Sequence, residues 1–358
     1  MSAVPRRTLA ALGIAALLGV SACAGTSTGT STGTSTGTST GTSTGSASTP
    51  AASGGQTQGE WTWTDDRGKT ITLPKRPERI VAQSGAAAAL WDFGVRPVGV
   101  FGPHKLKNGG RDPEVGEVDI DTVESIGNVW GEFNVEKYAS LQPDLLVAGM
   151  YEKNKLWYVP DESLDAIDQI APTVGVQLSG KPLPGIIEQY GKLAAALGAD
   201  PGAPAVTEAK KRFDAASAAL KDLAAKRPGL TVMVVTATPD ALYVTYKPDH
   251  PDVAYWSELG LDIVSPERPT ESEGGFWEVL SWENADKYQA DVILVDARAQ
   301  SMKVEEMAEK PTWAELPAVK AGQVYPWHAA ERYSHLGYAK VMEELVSELE
   351  KARDDVVS

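Results

Sequence analysis

The 358-residue chain has a single cysteine, Cys23, four histidines and five phenylalanines. Its longest apolar run, Leu9–Val20, would make about 18 Å of helix, short of the ~30 Å of a bilayer's hydrocarbon. One cysteine excludes a disulfide framework and a cysteine-built zinc cage. Four scattered histidines argue against a histidine metal cage. Positive charge is scarce too, with 33 basic against 48 acidic side chains and a net charge of −15. The first fifty-nine residues hold only Arg6 and Arg7, so the remaining 299 carry a net −17. That balance excludes a general nucleic-acid binder, which needs a basic surface for phosphates. Past residue 59 there is no Gly-x-Ser-x-Gly elbow, no Gly-x-Gly-x-x-Gly opening a helix and no Gly-x4-Gly-Lys-Ser/Thr loop. A serine hydrolase such as a lipid-anchored esterase, a dinucleotide oxidoreductase and an ATPase therefore lack their usual signatures. The reading is a protein that is not an enzyme.

What is present begins with an address. Arg6-Arg7, the apolar run and the small residues Ser21-Ala22 read as a signal peptide over residues 1–22. Arg6-Arg7 fits either a general or a twin-arginine export signal. Val20-Ser21-Ala22-Cys23 resembles the lipobox of bacterial lipoproteins, which implies lipidation of Cys23 and anchoring on the outer face of the cytoplasmic membrane. The alternative is a secreted protein with an ordinary free cysteine. From Thr26 to Gly45 the tetrapeptide Thr-Ser-Thr-Gly repeats five times, and Ser/Ala/Gly-rich sequence continues to Gly59. Such a segment buries no apolar area, so residues 23–59 read as a disordered tether. As a flexible coil it reaches about 30–36 Å.

The folded part opens on Trp61-Thr-Trp63-Thr and Thr70-Ile-Thr-Leu73 around Asp65-Asp-Arg-Gly68, the pattern of a β-hairpin. Apolar strands then alternate with helical stretches: strands at Arg79–Ala82, Pro97–Phe101 and Asp144–Ala148, with a helix at Ser84–Phe93. A second set contains strands at Thr231–Thr236, Asp291–Val295 and Gln323–Tyr325 and ends in a helix near Leu336–Ala352. This order predicts an α/β fold of two lobes, residues 60–202 and 228–358, each a largely parallel sheet flanked by helices. Between them, Ala203–Arg227 reads as one long helix, about 37 Å end to end, able to join the lobes. An ordinary surface helix is the alternative.

The two halves also match each other. Shifted by 147 positions, Trp130–Tyr151 lies on Trp277–Arg298. Trp130 then meets Trp277, Glu136 meets Glu283, Gln142 meets Gln289 and Asp144 meets Asp291. Asn134 and Ser281, both good helix caps, also coincide. The shared order of tryptophan, cap, acid, helix and strand predicts a duplication, with Trp130 and Trp277 on loops four residues before equivalent helices.

On these residues the chain resembles the bacterial substrate-binding proteins for ferric siderophores and vitamin B12. The resemblance runs through Pro77-Glu78-Arg79-Ile80-Val81, Asn134-Val-Glu136, Leu141-Gln-Pro-Asp144 and Ile170-Ala-Pro-Thr173, in that order. It implies two α/β lobes joined by one helix, with ligand held in the cleft and passed to an ABC importer's permease dimer and its ATPase. It further implies a monomer, no cofactor, and an iron that arrives already caged by its chelator. Glu136 and Glu283, one on each lobe, would then dock the permease. The alternative is a pair of ordinary first-turn acids.

For the ligand side, Tyr151 and Arg298 follow their strands, at the carboxyl ends where open α/β sheets bind ligands. Trp130 and Trp277 are expected on opposite walls, with Trp157 at the mouth. The loop Pro326–His335 adds Trp327, Arg332 and Tyr333, with Arg332 a candidate donor to chelate oxygens or a partner of Glu331. Any tryptophan among them can equally be core. Aromatic walls with few cations favour a hydroxamate complex over a triply anionic catecholate. Cobalamin or haem, the latter with Tyr151, Tyr333 or His328 as axial ligand, is the competing cargo.

Overall fold

The computed structural model describes residues 59–271 and 275–357. The expected signal peptide, Cys23 and all but the end of the tether lie outside the described residues. The hairpin is present: β1 (Trp61–Thr64) and β2 (Thr70–Leu73) pair antiparallel. Asp65 shapes its turn, accepting from the Arg67 and Lys69 amides at 2.9 and 3.0 Å. The same carboxylate accepts from the Gly175 amide at 2.9 Å, which staples the hairpin to the first sheet.

That sheet contains β3 (Ile80–Gln83), β4 (Gly99–Phe101), β5 (Glu124–Gly127), β6 (Leu145–Met150) and β7 (Thr173–Gln177). Its order is β5-β4-β3-β6-β7 and every pairing is parallel. All six residues of β6 are buried, as a strand covered on both faces requires. Helix α1 (Ser84–Asp92) is buried on every side, and the small side chains of Ala86, Ala87, Ala88 and Ala89 let its neighbours approach closely. Helices α2 (Val135–Ser140), α3 (Leu164–Ile170) and α4 (Leu183–Ala196) complete this lobe.

The long helix is α5 (Pro204–Lys226), opened by proline at its first turn and closed before Pro228. Its 23 residues span about 35 Å. Beyond it, β8 (Thr231–Ala237), β9 (Ala241–Thr245), α6 (Pro251–Glu258), β10 (Asp262–Val264), β11 (Trp277–Ser281), β12 (Val292–Asp296) and β13 (Val324–Trp327) build the second lobe. Three short helices, α7 (Val304–Met307), α8 (Pro311–Ala314) and α9 (Pro317–Lys320), precede the last, α10 (His335–Lys351). α10 packs along α5, and Arg212 and Glu343 join the two by a paired hydrogen bond.

The second sheet is mixed rather than uniformly parallel. β10, β12 and β13 join it in parallel, whereas β9 is reversed and pairs antiparallel with both β8 and β11. Only Thr238-Pro239-Asp240 separates β8 from β9, and a parallel partner needs a crossover of about a dozen residues. The duplication is likewise imperfect. Trp277 begins a strand instead of lying on a loop, and Glu283 lies on a single 3₁₀ turn, Trp282–Asn284, instead of a helix like α2. The caps explain the difference. Asn134 accepts from the Lys137 amide at 2.8 Å, whereas the Ser281 hydroxyl is taken by the Asn284 side chain at 3.1 Å. Glu278 also accepts from both Lys287 and the Tyr288 hydroxyl.

One duplicated device survives intact. Asp144, just before β6, accepts from the Glu78 and Arg79 amides leading into β3, each at 2.9 Å. Asp291, just before β12, accepts from the Thr231 amide and hydroxyl at the start of β8, and from the Val356 and Val357 amides. Burial would raise the Asp291 carboxyl, but these donors hold it below its ordinary range. Asp291→Asn should therefore cost about 2 kcal/mol of stability near neutral pH. A carboxylate depressed in the fold stabilises above its unfolded pKa and loses that contribution as pH falls. Urea unfolding should thus show the gap closing below about pH 4, and a gap independent of pH would refute the assignment.

Candidate functional site

In the first sheet the chain steps outward from β3 to β4 and β5, then returns to the other side of β3 as β6. Such a reversal opens a crevice at the strands' carboxyl ends. Gln83 ends β3 there, Ser84 opens α1, and Tyr151 follows β6. The second sheet has the same break between β8 and β12. Asp296 ends β12, and Arg298 follows two residues on.

A string of aromatic rings crosses from one lobe to the other at this level. Trp130 meets Trp157 with centroids 4.9 Å apart, and Trp157 meets Tyr151 at 5.1 Å. Tyr151 reaches Phe276 of the second lobe at 6.3 Å. Phe276 continues to His250 at 6.4 Å, and His250 to Trp277 at 4.5 Å. All are edge-to-face, the arrangement that ring quadrupoles prefer. Trp130 is 53% exposed, the outer end of the string. Tyr158 packs on Trp130 at 5.1 Å.

His250 acts as an apolar tile in this wall. Its Nε2 lies 2.9 Å from the Phe276 carbonyl oxygen, which only accepts, so Nε2 carries the proton. Burial lowers its pKa to about 4, and the ring is neutral at physiological pH. Burial, together with the charge of Glu114, pushes the phenols of Tyr151 and Tyr158 up to about 12. At neutral pH both are hydroxyl donors rather than tyrosinates.

Polar groups gather beside the rings. A cavity of about 310 Å³ is lined by Pro113, Arg298, His328, Glu331 and the Ala297, Ala329 and Ala330 backbone turns. Arg298 is anchored by the buried Asp296, with Nε and Nη2 donating at 2.7–3.0 Å, and keeps 30% of its side chain exposed. From the first lobe comes Glu114, on a 3₁₀ turn (Pro113–Val115) capped by Asp112. The Gln83 amide and Ser84 hydroxyl donate to its Oε1 at 2.8 and 2.9 Å. Burial raises its carboxyl to about 7 against those bonds and the charge of Arg298. Ser84 in turn requires glycine at position 102, where φ is +87° and a Cβ would lie 2.8 Å from the serine oxygen.

Of the residues expected at the ligand, Trp130, Tyr151, Trp157 and Trp277 lie on the string and Arg298 lines the cavity. The other three are held by partners within the protein, Tyr333 directly behind Tyr151. Trp327 is 2% exposed and donates to the buried Asp252 at 2.7 Å, so it backs His250 and Trp277 from behind. Tyr333 is buried and stacks on Tyr190, rings 8° from parallel. Arg332 bridges the lobes, donating to Asp92 at the end of α1 and to Glu331 at 3.0 Å. Each is consumed by a buried partner that sequence spacing does not display. The sequence reading missed Phe276, His250, Tyr158 and Glu114. Phe276 stands beside a chosen tryptophan, but nothing local marks the others. Glu136 and Glu283 are both exposed, and neither has an ion-pair partner among the described residues.

Two α/β lobes held by one long helix, with an aromatic cleft at the strands' carboxyl ends, define a solute-binding protein and not an enzyme. The chain belongs to the periplasmic binding protein family, whose model matches residues 86–331. It is 40% identical to DesE, a ferric-siderophore receptor protein from Streptomyces coelicolor, and the likeness covers 82% of this chain and 99% of that one with a TM-score of 0.78. The siderophore periplasmic binding protein from the fuscachelin gene cluster of Thermobifida fusca shares the fold at 23% identity, covering 78% and 98% with a TM-score of 0.56. The Fe(3+)-citrate-binding protein YfmC of Bacillus subtilis (strain 168) is 27% identical over 266 residues, 73% of this chain and 76% of YfmC.

Proposed function

We propose that this protein captures a ferric siderophore in the cleft and delivers it to the permease of an ABC importer. The observation that carries the reading is the aromatic string from Trp130 to Trp277, which crosses both lobes beside an anchored cation, Arg298. Rings bind the apolar flanks of a chelate, and an arginine donates to the carbonyl or hydroxamate oxygens around the iron. A bare ferric ion would instead need several carboxylates or tyrosinates, and the nearby phenols are held protonated. A triply anionic catecholate would call for more arginine and lysine than this cleft offers, which favours a hydroxamate. On this reading residues 60–202 and 228–358 are the two lobes and 203–227 the connector. Cys23 carries the lipid that keeps the monomer at the outer face of the membrane, and Glu136 and Glu283 meet the permease.

Tryptophan fluorescence tests the cargo, since Trp130, Trp157 and Trp277 all lie at the cleft. Titration with ferric hydroxamates, ferric catecholates, ferric citrate, cobalamin and haem, with metal-free chelators as controls, should give saturable quenching by a ferric hydroxamate. A response only to cobalamin or haem would overturn the iron assignment while leaving the fold intact.

A further inference from the structure

Away from the cleft, a second cavity of about 320 Å³ lies beside the connector helix. Its size falls within the ~300–1,000 Å³ of small-ligand sites. Both lobes and the connector supply its apolar wall: Phe93 after α1, Ile187, Gly191 and Ala195 of α4, Val206 of α5, and His335 at the start of α10. Ile187, Gly191 and Ala195 recur every fourth residue, so they form one stripe along α4. Glycine and alanine in that stripe leave open the space that larger side chains would fill. Phe93 and His335 directly follow Asp92 and Ser334, which are hydrogen-bonded across the lobes. The Thr207 hydroxyl, also at the wall, is spent on the Pro204 carbonyl at 3.1 Å.

The charged part of the lining is positive on balance, in a chain whose net charge is −15. Lys192 of α4 and Lys210 of α5 stand there against one acid, Glu188. Burial lowers the pKa of His335, which leaves that ring neutral at neutral pH. Each lysine is paired with an acid one turn away on its own helix, Lys192 with Glu188 and Lys210 with Asp214, both at 2.7 Å. All four side chains are more than half exposed. Exposed pairs of this kind hold their partners weakly, so both ammonium groups can turn to an anion.

We propose that this cavity is a second binding site, separate from the cleft, and that it takes a free alkyl carboxylate of medium length. The chain lies against Phe93 and the α4 stripe, and the carboxylate meets Lys192 and Lys210. An alkyl chain suits such walls because it brings no polar group that would be buried unpaired. A carboxylate head complements the net positive lining.

Calorimetric titration of the full-length protein with decanoate and with decanol, each kept below its micellar range, tests the site. Decanoate should bind saturably and about tenfold more tightly than decanol, the scale of one charge-assisted hydrogen bond. Lys192→Ala together with Lys210→Ala should bind the two probes alike, because only the head loses its partners. Gly191→Leu should bind neither. A Cβ at position 191 lies in ordinary contact with the Phe93 ring, at 3.5 Å, and the rest of the leucine fills the cavity. Leucine also favours helix over glycine, so this variant should unfold in urea no earlier than the wild type. Should it fail to fold, Ala195→Leu, one turn on, reads the same loss. Decanoate binding that survives the cavity-filling substitution, or a wild type that binds no decanoate, overturns the inference. Equal affinity of the wild type for both probes overturns the assignment of the carboxylate. Association with anionic phospholipid vesicles without binding of free decanoate would assign the lysines to a membrane surface and overturn the site.

Discussion

Cells whose protein carries Glu136→Ala together with Glu283→Ala should take up no ferric chelate, while the purified double variant binds its ligand as the wild type does. Both carboxylates are exposed and have no ion-pair partner among the described residues, so neither is expected to support the fold. They lie on opposite lobes, just before β6 and β12, the strands whose carboxyl ends form the cleft. One exposed ion pair is worth only about 0–1 kcal/mol. Two on one protein act together, because the first contact raises the effective concentration of the second. Single variants should therefore transport partially and the double variant not at all. Radioiron uptake beside a fluorescence titration separates the two properties. Normal uptake by the double variant would sink the docking assignment.

Arg332→Ala should be the most damaging single substitution described here, costing about 3–5 kcal/mol, the usual result of stranding one charge of a buried pair. Asp92 has 2% of its side chain exposed and accepts from Arg332 and from the Ser334 hydroxyl at 2.5 Å. Burial already raises its carboxyl, with Arg332 and Ser334 opposing. Without the guanidinium it would rise further. A carboxyl raised in the fold favours the protonated native state, so the penalty should be full at neutral pH and fade towards pH 4, where the unfolded group also protonates. Urea unfolding at several pH values reads this directly. The substitution also separates two roles for Arg332. A large loss of stability with ligand affinity retained fits the clasp between lobes. Lost affinity in a fully stable variant would return Arg332 to the ligand wall.

Periodicity, caps and breakers determined much of this protein without any contact information. Proline before and after a run of alanine, lysine and leucine delimited α5 to within a residue at each end. Apolar runs located β3, β6, β8 and β12, because strands covered on both faces must be apolar throughout. The shift of 147 positions aligned Asp144 with Asp291, and the fold gives both the same task, accepting from the amide that leads into a neighbouring strand. The same shift put Tyr151 and Arg298 at equivalent strand ends, where chain reversal in each sheet opens the cleft.

Partner choice was not in the sequence, because it depends on which groups folding brings together after the backbone is set. Trp327 looks the same in sequence as Trp277, yet Asp252, 75 residues away, claims its indole N–H. Arg332 had Glu331 beside it in the chain, but Asp92 lies 240 positions off and crosses between lobes. Glu114 carries no local signal at all. Only the approach of β3's end to its turn lets Gln83 and Ser84 grip its carboxylate. Local sequence determined the elements, since helix and strand energies are decided within a few residues. The tertiary structure decided which side chains are consumed inside the protein and which are left for a ligand, since hydrogen-bond partners and desolvation exist only once distant segments have met.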